Sequence, residues 1–163
     1  MSALIAEEKA VAVLEACRKA GIMIATAESC TGGLIAGALT DIAGSSNVVD
    51  RGFVTYSNEA KAEMIGVPME LINRFGAVSK EVALSMAEGA LSHSRASVTV
   101  AVTGVAGPGG GSDEKPVGLV HIASARKGHP PLHRECRFGP KTRAEIRHAT
   151  VLAALDLVLE NLR

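Results

Sequence analysis

The sequence predicts an α/β fold: a three-layer α/β/α sandwich around a mixed, largely parallel sheet. Two observations carry this. Along most of the chain, short β-branched segments alternate with segments of helical period, the pattern of stacked α and β layers. Late in the chain, "VGLVHIASA" and "LHRECRF" are joined only by Gly128 to Pro131. No helix fits there, so these two strands must pair antiparallel. The 163 residues suit one domain, 1–163, with one core. Hydrophobic residues at 47% and charged residues at 21% argue against disorder.

The elements follow in order. Leu4, Val11 and Leu14 recur at helical spacing, and Gly21 closes that helix as a C-cap. Residues 22–26, "IMIAT", read as a short buried strand, and 33–43 suit a helix ending near Gly44. "SNVVDRGFVTYS" is strand-like around Val48 and Val49 and again over 52–57. "NEAKAEMIGVP" is a short helix stopped by Gly66 and Pro68, with a second over 69–74. Ser79 is an N-cap, Glu81 lies in the first turn, and Val82, Met86 and Leu91 line the apolar face of the next helix. "ASVTVAVTG" reads as a central strand. Glycine or proline fills every position from Gly107 to Gly111, so "VAGPGGGSDEKP" is a loop. From 141 to 162, the spacing of Ile146, Leu152, Leu155, Leu159 and Leu162 gives a long amphipathic helix.

Composition excludes several functions. Basic and acidic residues balance at 17 each, and the only aromatics are Phe53, Phe75, Phe138 and Tyr56. A phosphate-backbone binder carries a basic excess, and single strands need stacking platforms. Direct nucleic-acid binding is therefore not expected. Seven basic residues between Arg126 and Arg147 face only Glu135 and Glu145; they could hold a small anion or form a solvated face. Cys17, Cys30 and Cys136 lack CxxC spacing, which suggests a reducing compartment. The N-terminus lacks a cationic leader pattern, and no run of about 18 apolar residues exists. These features predict a soluble, cytoplasmic protein without a membrane partner. The five histidines show no ligand cluster, so no metal and no cofactor are expected.

Three segments could carry chemistry. In "TAESCTGGLIAG", 26–37, Ser29 follows a strand and precedes a helix. Free N–H groups and the helix dipole there stabilise an alkoxide, an oxyanion or a phosphate. Gly32 and Gly33 admit a ligand close to the main chain. Ser29 is thus a nucleophile, part of a phosphate cradle, or an N-cap shared with Thr31. The segment lacks GxSxG and GxxxxGK[ST]. Cys30 reads as a buried packing thiol. A serine needs a base, and no Ser-His-Asp arrangement stands out. "GFVTYSNEAK" offers Lys61, five residues after Tyr56, the only tyrosine. Tyr56 could relay a proton or orient the lysine; otherwise the pair is a sheet-edge tyrosine and a solvated lysine. The third segment, "TGVAGPGGG" from Thr103 through Gly104 and Gly107, could cradle a phosphate or cover a site. A strand follows it, so it is not the dinucleotide fingerprint.

Together, "TAESCTGG", "RGFVTYSNEAK" with "GAVS" after it, and "TGVAGPGGGSDEKPVG" resemble the C-terminal domain of CinA, the competence/damage-inducible protein family, over about 4–162. The chain resembles the stand-alone form of that domain, known as a nicotinamide-nucleotide amidohydrolase. The resemblance implies hydrolysis of the carboxamide of nicotinamide mononucleotide (NMN) to nicotinic acid mononucleotide and ammonia. It implies Ser29 as nucleophile, with Lys61 and Tyr56 as activating partners. It places Thr103 among the site residues, with Thr31, Gly32, Gly33, Gly104, Gly107 and Arg147 as substrate-binding candidates. It also implies a homodimer or larger homo-oligomer. One departure stands out: the family has a "GDR" element before the last helix, and here "FGPKTRAEIR" sets Thr142 at the arginine's position with Arg143 beside it. The competing class is a non-catalytic nucleotide-binding or protein-interaction module linked to competence or DNA damage. It would have no use for a base.

Overall fold

The strands β1 (Ile24–Glu28), β2 (Val49–Val54), β3 (Val98–Gly104), β4 (Leu119–Arg126) and β5 (Leu132–Arg137) form one sheet, ordered β2-β1-β3-β4-β5. These come from a computed structural model that describes residues 2–163, with side chains from Leu4 onward. β1 runs parallel to both β2 and β3, whereas β3 with β4 and β4 with β5 are antiparallel. Four strands therefore share one direction and β4 alone reverses. The sheet is mixed and largely parallel, as predicted, and the strand "ASVTVAVTG" is its central member.

Helices cover both faces, making three layers. α1 (Ser2–Ala20), α2 (Leu34–Thr40) and α6 (Arg143–Asn161) pack on one face. α3 (Asn58–Ile65), α4 (Met69–Phe75) and α5 (Lys80–Ser92) pack on the other. Strand alternation sorts the two cores. Val98, Val100 and Val102 of β3 point to the first, with Val120 and Ile122 of β4. Ala101, Ala123 and Ala125 point to the second. Small side chains on that face let α5 lie close. Gly89 extends the logic to α3: a Cβ there would collide with the Ile65 carbonyl oxygen.

Several boundaries differ from expectation, each for a local reason. The first strand spans Ile24–Glu28 rather than 22–26, because its parallel partners on both sides extend pairing to Glu28. The two strand pieces expected between 48 and 57 are one strand, Val49–Val54. It stops because Ser57 is committed to capping α3, its Oγ accepting from Ala60 N at 3.0 Å. The helix expected over 33–43 ends at Thr40, and a short 3-10 turn follows at Ser45–Asn47. The last helix starts at Arg143 because Thr142 and Glu145 form a reciprocal capping box. Ser79 caps α5 as predicted, accepting from Val82 N.

This topology decides where chemistry can gather. β2, β1 and β3 are adjacent and parallel, with Glu28 in register with Val54 and Val102. The segments leaving their C-terminal ends are therefore neighbours. These are Ser29 to Gly33, Thr55 to Ser57, and Gly104 onward. Crevices at this edge of α/β sheets are where ligands bind.

Candidate active site

The turn after β1 is built around Glu28. Its carboxylate, 1% exposed, accepts from Thr31 Oγ1 at 2.6 Å, Ile35 N at 2.8 Å and Ala36 N at 3.0 Å. Those two backbone donors are unsatisfied groups at the start of α2. Gly33 occupies the N-cap position and has no side chain to serve them. The strand carboxylate thus caps the helix, and neither Ser29 nor Thr31 does. Gly32 and Gly33 make the turn possible with φ of 57° and 107°, a region that penalises a Cβ. Glu28→Ala leaves these buried donors without an acceptor, at about 1–3 kcal/mol for each group that water cannot reach. We expect Glu28→Ala to lower unfolding stability by about 3 kcal/mol and Glu28→Gln by clearly less. Urea denaturation of both variants checks this; equal losses would contradict the capping role.

Ser29 is held by its main chain. Its N–H donates to Val102 O at 3.1 Å, and its carbonyl accepts from Gly32 N at 3.0 Å. The hydroxyl lies 3.0 Å from Lys61 Nζ. Lys61, on α3, is only 1% exposed. Its amine also donates to Thr55 O at 2.9 Å and Tyr56 O at 3.3 Å. Burial holds the Lys61 ammonium below the usual lysine range; the Cys30 charge opposes this. That opposition is weak at neutral pH, because burial pushes the Cys30 thiol itself up to about 11. A neutral amine has two N–H groups and one lone pair. Two carbonyls and one hydroxyl are the partners that match it.

Tyr56 makes two separate contacts. Its main-chain carbonyl orients Lys61, while its phenol, at the exposed mouth, accepts from Arg143 at 3.2 Å. Thr103 Oγ1 donates to Ala77 O at 2.9 Å and ties the segment before α5 to the end of β3. Gly104 is pressed against β4, where a Cβ would meet Val120 and the Leu119 carbonyl. A pocket of about 260 Å3 opens over Ser29 and Lys61, bounded by Tyr56, Thr103, Gly104 and Arg143. Among the described residues no aspartate or glutamate lines it.

Five expected substrate-binding residues do not line this pocket: Thr31, whose hydroxyl turns to Glu28, Gly32, Gly33, which lines another cavity, Gly107 and Arg147. Arg147 donates from Nε to Cys30 O and from a terminal nitrogen to Thr31 O, each at 3.1 Å. It also lines a separate cavity between α1, α2 and α6, so it grips the turn from the α6 side. Peptide planarity then turns the Thr31 and Gly32 N–H groups away from Arg147. Gly32 N–H is already spent on Ser29 O. Thr31 N–H has no protein acceptor among the described residues. Gly107 meets the site through its carbonyl, which accepts from Arg143 at 2.7 Å. Arg143 lines the pocket, although the sequence did not single it out as a site residue. The signal was its i,i+4 spacing to Arg147, which sets both guanidinia on one face of α6. Among the described residues no cluster of metal-ligating side chains occurs, and the three cysteines are free thiols.

Fold and site define a three-layer α/β domain with a buried lysine bonded to a serine at the carboxyl edge of parallel strands. The chain belongs to the CinA C-terminal domain family, whose model matches residues 6–162. The crystal structure of the competence/damage inducible protein CihA from Agrobacterium tumefaciens is 59% identical with a TM-score of 0.94, covering 97% of this chain and 95% of that one. The nicotinamide-nucleotide amidohydrolase PncC of Escherichia coli K12 is 51% identical over 144 residues, 88% of this chain and 87% of PncC. A CinA-like protein of Akkermansia muciniphila is 51% identical over 136 residues, 83% of this chain. The chain spans only 33–35% of the length of several longer competence-damage inducible relatives that it matches.

Proposed function

We propose that the protein is an amidohydrolase that cleaves the carboxamide of NMN to nicotinic acid mononucleotide and ammonia. The observation that carries this reading is the 3.0 Å contact between Ser29 Oγ and the buried Lys61 amine. The likeness to PncC, which extends over 88% of this chain, supports the substrate.

An amide is a weak electrophile, so the site must supply a strong nucleophile and a home for the oxyanion. Neutral Lys61 accepts the Ser29 proton on its lone pair as Oγ bonds to the carboxamide carbon. The carbonyl π electrons move to oxygen. The N–H groups of Cys30 and Thr31 are the oxyanion donors in this scheme, each worth about 3–4 kcal/mol when well placed. The Lys61 ammonium then gives its proton to the amide nitrogen, the C–N bond breaks, and ammonia leaves. Lys61 takes a proton from water, whose oxygen attacks the ester. The C–Oγ bond breaks, Oγ recovers the proton from Lys61, and the carboxylic acid product ionises. The scheme uses no metal and no cofactor. Thr55 and Tyr56 contribute the carbonyls that hold the Lys61 lone pair toward Ser29.

NMN also carries a phosphate, and a pocket with Arg143 and no carboxylate suits it. We place the enzyme in the cytoplasm, where its three thiols stay free. Among the described residues no helix is long and apolar enough to cross a membrane. Exposed Leu4, Ile5 and Leu34 support a homodimer or larger homo-oligomer. The deciding measurement is ammonia release, with mass detection of nicotinic acid mononucleotide, by purified wild-type protein. Turnover is expected. Binding of NMN without ammonia release would favour the non-catalytic reading.

A further inference from the structure

Arg143 opens α6 and bridges the site's separate segments. One terminal nitrogen donates to Gly107 O at 2.7 Å in the glycine-rich loop, and the other to the Tyr56 hydroxyl at 3.2 Å. Both acceptors are neutral. Three arginines of the chain are matched with acids, Arg51 with Asp50, Arg134 with Glu160 and Arg137 with Glu135; Arg143 is not one of them. Arg143 has no acid within ion-pair distance among the described residues, although its pocket is the one over Ser29. A guanidinium has five N–H donors and does not lose its charge. Two of those donors are used here, and the rest, with the whole charge, are available to an anion.

The other basic group in this pocket cannot take that role. Lys61 works only as a neutral amine, and an anion at its side would favour the ammonium form and remove the base. A charged part of the substrate therefore has to lie away from Lys61. Arg143, fixed by the loop on one side and by Tyr56 on the other, is the cation that can meet it.

On the reading that the site hydrolyses NMN, we propose that Arg143 selects the phosphorylated substrate, binding its phosphate monoester through paired N–H groups. The Tyr56 hydroxyl is then the placeholder that keeps the guanidinium aimed across the mouth until the phosphate arrives. Arg147, engaged with the Cys30 and Thr31 carbonyls, has no part in this.

The test compares NMN with nicotinamide riboside, which has the same carboxamide and ribosyl pyridinium but no phosphate. Ammonia release is measured for wild type, Arg143→Gln and Arg143→Lys, with thermal melting to confirm folding. Wild type should prefer NMN in kcat/KM. Arg143→Gln should reduce that preference by at least about tenfold, consistent with losing charge-assisted hydrogen bonds, with the loss mainly in KM. Arg143→Lys should restore part of it. An undiminished preference in Arg143→Gln, or equal losses on both substrates, would overturn the assignment. If wild type releases ammonia from neither compound, the amidohydrolase reading fails instead. Calorimetric binding of NMN to wild type and Arg143→Gln then decides: binding lost only in the variant upholds Arg143 as the phosphate reader, and equal binding rejects it.

Discussion

Ser29→Ala is expected to cut ammonia release from NMN by at least about 10⁴-fold, since nucleophile removal in serine hydrolases costs up to about 10⁶. The fold should survive. The Oγ atom caps no helix, because Glu28 serves the donors of α2, and among the described residues its only partners are Lys61 and, weakly at 3.5 Å, the Tyr56 carbonyl. Removing it also leaves Lys61 with both of its carbonyl acceptors. Melting temperature should therefore change little, and NMN should still bind, because Arg143 and the loop are untouched. Calorimetry on the alanine variant reads the binding, and a discontinuous ammonia assay reads the turnover. Activity within tenfold of wild type would end the assignment of Ser29 as nucleophile and leave water attack assisted by Lys61 as the route.

Much of the fold was legible because layering is a property of pattern. Alternation in "ASVTVAVTG" and the helical period after residue 141 are repeated signals, so local errors average out. Boundaries were less legible because single interactions set them. The strand "RGFVTY" continues in pattern through Tyr56, yet pairing ends at Val54 because Ser57 is taken by the start of α3.

The gathering of candidate residues was legible in part, and for a related reason. Ser29, Tyr56, Lys61, Thr103 and Gly104 lie around one pocket because three parallel strands end together. Side-chain direction was not in the pattern. Tyr56 acts on Lys61 through a carbonyl, which any residue possesses, while its phenol turns to Arg143. Two arginines four residues apart look equivalent in sequence. One helical turn of translation along α6 sends Arg147 to the carbonyls of the Ser29 turn and Arg143 to the pocket mouth. Glu28 could not be read at all, because pattern does not show that the N-cap of α2, Gly33, leaves backbone donors for a strand carboxylate.

Replacing Lys61 separates a base from a mere positive charge. Arginine carries the charge and donates hydrogen bonds but stays protonated at any working pH. If Lys61 removes the Ser29 proton, Lys61→Arg and Lys61→Met should both lose about 10²–10⁴-fold in kcat, the usual worth of a positioned base. If Lys61 only stabilises negative charge, Lys61→Arg should keep most of the activity. The pH profile gives a second reading. The wild-type rate should rise with pH as Lys61 loses its proton, with a midpoint below the ordinary lysine value of 10.5, because burial lowers it. Stability carries the same signature. Lys61 binds its proton less tightly folded than unfolded, so between the two pKa values the unfolded chain holds the extra proton, and raising pH stabilises the native state. That contribution is complete above the unfolded value and lost as pH falls through the lowered folded one. Lys61→Met should remove this alkaline slope from urea titrations while changing stability only modestly at neutral pH: two carbonyls and a hydroxyl lose a donor, but no amine has to be desolvated. Because Ser29 and Lys61 act as one unit, the double variant should be no slower than the slower single one. Multiplicative losses in that cycle would show two independent contributions and refute proton transfer between them.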